Sequence, residues 1–258
     1  MRNKISYLYL IFNLTLVEII ALILSKFSTL IPTKKTRDLI LFPHQQKGSD
    51  GYTRRFEEYF EYLEKDNIDF HVCNVFDNEY IINKESGRII DKYQLYKDIA
   101  WTRLKQVLKA RKFKAVFIQR GLFPYYPDLK RPYLEKLLRK LNNNITIDFW
   151  DSVWLYSSDI LIKETVKYCD KISVVNQFLA DYFSFSNVPK VIFPIGVNQK
   201  KYTKKNNYNL AEPIKLFYTG GPGNVSTFLK LFTPILKKIS KNIKIKLVIV
   251  SRARILVD

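Results

Sequence analysis

Residues 38–63 read DLILFPHQQKGSDGYTRRFEEYFEYL, and the order of residue types in this stretch decides the fold. Leu39–Phe42 is a short apolar run closed by Pro43, which predicts a strand buried on both faces. The loop HQQKGSDG (44–51) follows, with Gly48 and Gly51 able to take backbone angles that other residues avoid. Tyr52–Leu63 then switches to helical spacing, with Tyr52, Phe56, Tyr59, Phe60 and Leu63 on one face. A buried strand, a glycine-bearing turn and an amphipathic helix open a βαβ unit.

Outward from that unit the alternation continues. Strands are expected at Phe70–Phe76, Ala115–Ile118, Ile145–Phe149, Lys171–Val175 and Lys190–Pro194, with helices at Tyr93–Lys112, Pro132–Leu141, Ile160–Tyr168 and Gln177–Phe183. This rhythm predicts a doubly wound parallel sheet whose strands all end on one edge. Gly196–Glu212 is polar and rich in Lys and Asn, and reads as a linker. The pattern then restarts with a strand at Ile214–Tyr218, the loop TGGPGN (219–224), a helix at Val225–Ser240 and a strand at Ile243–Val250. The expected fold class is α/β, with a hydrophobic segment at 1–30, a complete Rossmann-like domain at 37–195, a linker at 196–212 and part of a second domain at 213–258. Two strands and one helix are too few to bury a sheet on both faces.

The 258 residues carry 47% hydrophobic and 26% charged side chains, enough for real cores and unlike a disordered chain. Cys73 and Cys169 lie far apart without metal-ligand spacing, which fits a reducing compartment. The formal charge is +19, and from Lys190 onward fourteen Lys and Arg face only Glu212 and Asp258. No nucleic-acid motif accompanies this charge, so solvated lysines or an anionic membrane face explain it better than nucleic acid does.

Ile5–Leu24, ISYLYLIFNLTLVEIIALIL, is twenty residues long and sufficient to cross a bilayer core. Glu18 opposes a span by about 2.5–3.5 kcal/mol, which the surrounding Leu, Ile and Phe offset. A membrane anchor is the leading expectation and an interfacial or docked helix the second. Lys26, Lys34, Lys35 and Arg37 after the segment outnumber Arg2 and Lys4 before it, which places the remainder on the cytoplasmic face.

Ligands of open parallel sheets bind at the carboxyl ends of the strands, so the loops there carry the candidate chemistry. The loops 44–51 and 219–224 are glycine-rich turns leading into helices, suited to a diphosphate. Neither has the dinucleotide or Walker spacing. DFWDSVW (148–154) sets Asp148 and Asp151 beside Trp150 and Trp154, a polar site with sugar-stacking surfaces, or alternatively a helix cap with packed aromatics. Arg120 can pair with a phosphate or with these aspartates, and His44 can titrate beside a ligand, whereas His71 within a strand reads as structural.

The succession FPHQQKGSDGYTRRFEEYFEYL, IQR, DFWDSVW, SVVNQFLADYF, VIFPIGVN and LFYTGGPGN resembles the group 1 (retaining, GT-B type) glycosyltransferases of bacterial surface-polysaccharide biosynthesis over roughly residues 38–250. The resemblance implies two Rossmann-like domains, with a glycan or lipid-linked acceptor on the first and a nucleotide-sugar donor on the second. It implies that Gly48, Gly51, Gly220, Gly221 and Asn224 approach the donor phosphates. It also implies that Asp148 and Asp151 lie near the sugar and that no metal or other cofactor takes part. The family's glutamate pair and basic diphosphate-binding residue have no counterpart before Asp258, and the tail SRARILVD lacks the family's glycine, so a truncated transferase, inactive alone, is expected. A non-catalytic membrane-associated α/β subunit that needs a partner chain is the competing reading.

Overall fold

The computed structural model describes residues 2–30, 34–123, 131–155, 158–196, 198, 200, 204 and 206–251. The tail after Ser251 and part of the 196–212 linker lie outside them. The chain forms two compact units, Met1–Gln199 and Lys200–Asp258.

The first unit runs α1 (Arg2–Lys26), β1 (Arg37–Phe42), α2 (Asp50–Tyr52), α3 (Glu58–Lys65), β2 (Phe70–Val72), α4 (Asn78–Ser86), α5 (Ile89–Lys109), β3 (Phe113–Gln119), α6 (Tyr133–Leu141), β4 (Ile145–Phe149), α7 (Asp159–Val166), β5 (Lys171–Val174), α8 (Gln177–Tyr182) and β6 (Lys190–Ile192). Its six strands are all parallel in the order β2-β1-β3-β4-β5-β6. The flanked parallel sheet is compatible with a Rossmann-like domain.

Alternation along the strands divides the interior in two. Ile40, Phe42, Val116, Ile118, Ile147, Phe149, Ile172 and Val174 join the main core with buried residues of α5 and α6. Leu41, on the opposite face, packs with Tyr52 and Phe56 and is flanked by Phe60 and Phe117. Between α2 and α3 the helix widens into a π turn, Thr53–Glu57. Such a turn re-aims a side chain, and here Arg55 is carried into the interior.

Several boundaries differ from expectation. Residues 78–86 form a helix that weak periodicity concealed, started by Asp77, whose Oδ1 accepts from Tyr80 N at 2.7 Å. The next helix begins at Ile89 instead of Tyr93 because the Asp91 carboxylate accepts the Arg88 N–H at 3.0 Å. Strand β2 ends at Val72, and β3 begins at Phe113.

The apolar N-terminal segment is a 25-residue helix that packs on α5 and α6. Leu10, Asn13, Val17, Ala21 and Ser25, three or four residues apart, form its buried stripe. Asn13 is satisfied there: its Oδ1 accepts from Trp101 Nε1 at 3.1 Å and its amide donates to the Tyr9 carbonyl at 2.8 Å. The helix is long and apolar enough to cross a membrane, yet one side of it is packed on α5 and α6.

The second unit contains β7 (Ile214–Thr219), α9 (Pro222–Ile239) and β8 (Ile245–Val250), with β7 and β8 paired in parallel from Ile214–Ile245 to Thr219–Val250. Val225 is its one fully buried apolar residue among those described, while Phe217, Leu231 and Ile235 stay exposed.

The docking of α1 has a stability consequence. Val17→Asp would bury an unpaired carboxylate between α1 and its neighbours and should cost about 3–5 kcal/mol in urea unfolding of the purified chain. Loss of less than about 0.5 kcal/mol would show that α1 leaves the domain in solution.

Candidate functional site

The crossovers from β1 and from β3 go to opposite sides, so the crevice of this sheet opens at the carboxyl ends of β1 and β3. The residues assembled there come from the loop after β1, from the end of β3 and from the turn after β4.

Buried amides fix the first loop. Gln119, fully buried at the end of β3, accepts at Oε1 from the backbone N–H of His44 at 3.0 Å and of Gln45 at 3.3 Å. Gln46, also fully buried, accepts from Val75 N at 3.2 Å and donates to the His44 carbonyl at 3.3 Å. Ser49 then accepts from Tyr52 N at 3.4 Å and caps α2. Gly48 turns at φ +86° with open space where a side chain would stand, so its conformation requires glycine.

Gly51 has a different reason to lack a side chain. A Cβ there would overlap the Gln45 carboxamide and meet Trp150 Cζ2 at 2.9 Å. On that side Gly51 is therefore packed against the protein's own Gln45 and Trp150.

Arg120 is the strained residue of the site. It sits at φ +62°, a region costing a non-glycine residue about 1–3 kcal/mol. Its N–H donates to the Asp148 carbonyl at 2.9 Å, its guanidinium lies 5.7 Å from the Trp150 ring centroid, and Nη2 pairs with the Asp151 carboxylate. Around this pair four buried atoms lack a hydrogen-bond partner: Gln45 Oε1, Gln119 Nε2, Arg120 Nε and Trp150 Nε1. An unsatisfied buried polar atom costs about 1–3 kcal/mol, so these atoms need water or a ligand where the chain itself supplies no partner.

His44 belongs to the same cluster. Burial, reinforced by the positive charges of Arg120 and Arg103, pushes its pKa down to about 3. The imidazole is neutral at neutral pH and too weakly basic to act as an effective general base there.

Asp148 occupies a different environment from Asp151. It is fully buried, accepts from Arg55 Nε at 3.0 Å and from Ser173 Oγ at 2.8 Å, and also pairs with Arg55 Nη2. Burial raises its pKa, against which Arg55 and Ser173 pull downward. Arg55 Nη1 also donates to the Phe193 carbonyl at 3.2 Å. Asp148 therefore ties the π turn to the ends of β4, β5 and β6 and presents no surface to a ligand, contrary to its expected place beside the sugar. Trp154 is likewise engaged, stacked on Tyr182 with centroids 3.5 Å apart and planes at 4°. His71, partly buried, stacks on Phe113, in keeping with a structural role.

The first unit thus brings His44, Gly51, Arg120 and Asp151 together, with Gly48 at the turn of the first loop. Gly220, Gly221 and Asn224 belong to the second unit. Gly221 starts α9 with open space at its Cα, whereas Gly220 lies under Tyr218, whose hydroxyl donates to the Asn224 carbonyl at 3.1 Å. Among the described residues no group of three His, Cys, Asp or Glu side chains is arranged to hold a metal. Sequence reasoning missed Gln45, Gln119 and Arg55. Arg55 had a readable signal: three residues after Tyr52 and four before Tyr59, it falls inside the apolar stripe, where a charge needs a buried partner.

The buried pair predicts a specific pattern of stabilities. Arg55→Met leaves Asp148 buried without its cation and should cost about 3–5 kcal/mol, while Arg55→Met combined with Asp148→Asn should recover a large part of that loss in urea unfolding. Additive losses would show that the two residues do not act as a pair.

His44 predicts a pH dependence. Its pKa is near 6.5 when unfolded and about 3 when folded, so the unfolded chain takes up the proton first. Stability should fall as pH drops between those values, with no slope from this group above them. In His44→Gln that part of the fall should vanish, and parallel curves for the two proteins would contradict a buried neutral imidazole.

Comparison with known proteins finds no matching family model, no similar curated protein and no similar solved structure.

Proposed function

We propose that the chain is a glycosyltransferase of the retaining GT-B type, moving a sugar from a nucleotide-sugar donor to a glycan or lipid-linked acceptor. The observation that carries this reading is the set of unpartnered polar atoms around the Arg120–Asp151 pair, walled by Trp150, at the carboxyl ends of β1 and β3. Three of the four atoms are donors and one is an acceptor. With a guanidinium beside them, they suit a ligand rich in acceptor oxygens, such as a sugar carrying phosphate. The motif order read in the sequence adds the nucleotide sugar and the two-domain plan.

In this reading Arg120 binds a ligand phosphate, and Asp151, released from Arg120, accepts a hydrogen bond from a sugar hydroxyl. Trp150 offers the aromatic surface, and Asp148 positions the strand ends through Arg55. Gly220, Gly221 and Asn224 line the start of α9 for the donor diphosphate, and catalysis is positioning together with charge stabilisation. No cofactor or metal enters the scheme.

A non-catalytic binding role is the second reading. It is favoured by the sealed carboxylate of Asp148 and the weak basicity of His44, which leave Asp151 as the one carboxylate here able to meet a ligand. Measured binding without turnover would select it.

Both readings are tested on the intact chain with a panel of UDP-, GDP- and dTDP-sugars, by thermal shift and by assay of transfer or hydrolysis. At least one donor should raise the melting temperature. Arg120→Gly removes the left-handed strain, so it should keep or raise stability by about 1 kcal/mol while weakening that ligand roughly tenfold or more. A variant that binds as well as the parent would remove Arg120 from the site. No shift and no turnover with any nucleotide sugar would overturn the glycosyltransferase reading.

A further inference from the structure

We infer that α1 is a lipid-docking element that lies in the plane of a bilayer leaflet, with one face on the protein and the other in the lipid. The inference does not depend on the proposed sugar chemistry.

The helix has two apolar faces. One, through Leu10, Val17 and Ala21, is buried on the domain. The other carries Leu8 at 65% exposure, Phe12 at 65%, Ile19 at 46% and Ile23 at 49%, followed by Phe27 at 56%. These outward residues follow helical spacing, and Thr15 is the one polar residue within the row. A continuous exposed apolar row of this length marks an interaction site.

The docking fixes the orientation. The helix is about 37 Å long at 1.5 Å per residue, long enough to cross a bilayer core of about 30 Å. Its buried stripe, however, extends from Leu10 to Ser25 along the domain. A perpendicular crossing would draw α5 and α6 into the hydrocarbon or strip α1 from them, exposing Asn13 and Trp101. Lying flat buries the outward row and leaves the domain in water.

The charges select lipid as the occupant. Lys4 and Lys26 stand at the two ends of the helix, Lys97 lies beside Tyr9, and the outward row holds no acid. Glu18 instead lines a lateral cavity of about 530 Å³ with Arg131 and Lys136. Tyr7 and Tyr9, both exposed, are amphipathic residues of the kind found at headgroup depth. Pairing of two copies through α1 would set Lys4 against Lys26 if antiparallel, or each lysine against itself if parallel. Like charges meet either way, whereas anionic headgroups neutralise them. A groove of about 320 Å³ beside the first turns, lined by Tyr9, Leu10, Tyr93 and Lys97 among others, offers room for an acyl chain.

The test is flotation of the purified full chain with vesicles of phosphatidylcholine, alone and with phosphatidylglycerol added. The chain should float with both and more strongly with the anionic vesicles. Ile19→Glu/Ile23→Glu should lower partitioning roughly tenfold or more at an unchanged melting temperature. If that variant fails to fold, Leu8→Glu/Phe12→Glu, farther along the same row, replaces it. Lys4→Cys, at an exposed position, should remain accessible to a membrane-impermeant maleimide added outside sealed vesicles. The inference is overturned by a chain that stays in the aqueous fraction with both vesicles, or by protection of the label, which indicates a crossing. It is also overturned by a lipid-free dimer that Ile19→Glu/Ile23→Glu splits into monomers.

Discussion

The carboxyl edge of the six-stranded sheet is held by two buried guanidinium groups, one from each side. Arg103 reaches from α5 and donates to the Cys73 carbonyl at 2.6 Å and the Pro43 carbonyl at 2.5 Å, tying the exits of β2 and β1. Arg55 reaches from the π turn on the opposite face and ties the exits of β4 and β6 through Asp148 and the Phe193 carbonyl. Parallel strands end in carbonyls that need donors, and burial makes any unmet need costly. A guanidinium supplies several donors from one side chain, but its own desolvation is expensive. The cost is visible in Arg103, whose pKa burial lowers to about 10.

With both flanks tied, the centre of the edge is free to carry polar atoms that have no partner inside the protein. Gln119 shows the division of labour within one side chain. Its oxygen fixes the loop after β1, while its buried Nε2 has no hydrogen-bond partner within the chain. The Glu135 carboxylate similarly accepts the Leu122 N–H at 2.9 Å and holds the turn after β3 from α6. Rigid supports of this kind let a site keep unsatisfied groups and a left-handed arginine without collapsing around them.

Much of this architecture was legible in the chain. The alternation of apolar runs and helical stripes gave the parallel sheet, because strands buried on both faces leave an unmistakable Val- and Ile-rich signature. The edges of elements were less legible, since they depend on single capping contacts such as those of Asp77 and Asp91. The site was only half readable. Arg120, Asp151 and His44 stand out as polar residues following strands, but Asp148 looked identical to Asp151 in sequence. Only the pairing with Arg55, ninety-three positions away, separates a buried tie from a ligand-facing carboxylate.

Helix α1 shows the limit of periodicity itself. An amphipathic helix declares its buried face by contrast with a polar one, and α1 has no such contrast because both sides are apolar. By composition it matches a membrane span, yet a stripe of it, including Val17 and Ala21, joins the core of the domain. Asn13 resolves the ambiguity. In a lone span its amide would keep the Tyr9 carbonyl of the same helix, but its Oδ1 would face hydrocarbon without the Trp101 donor, a costly position for a polar atom. Here it is held between Tyr9 and Trp101 on the protein side, while the outward row stays purely apolar apart from Thr15. Of the two strongly polar residues in the middle of the helix, Asn13 marks the face that the protein covers and Glu18 lines a lateral cavity, and the remaining apolar surface is what the domain presents to its surroundings.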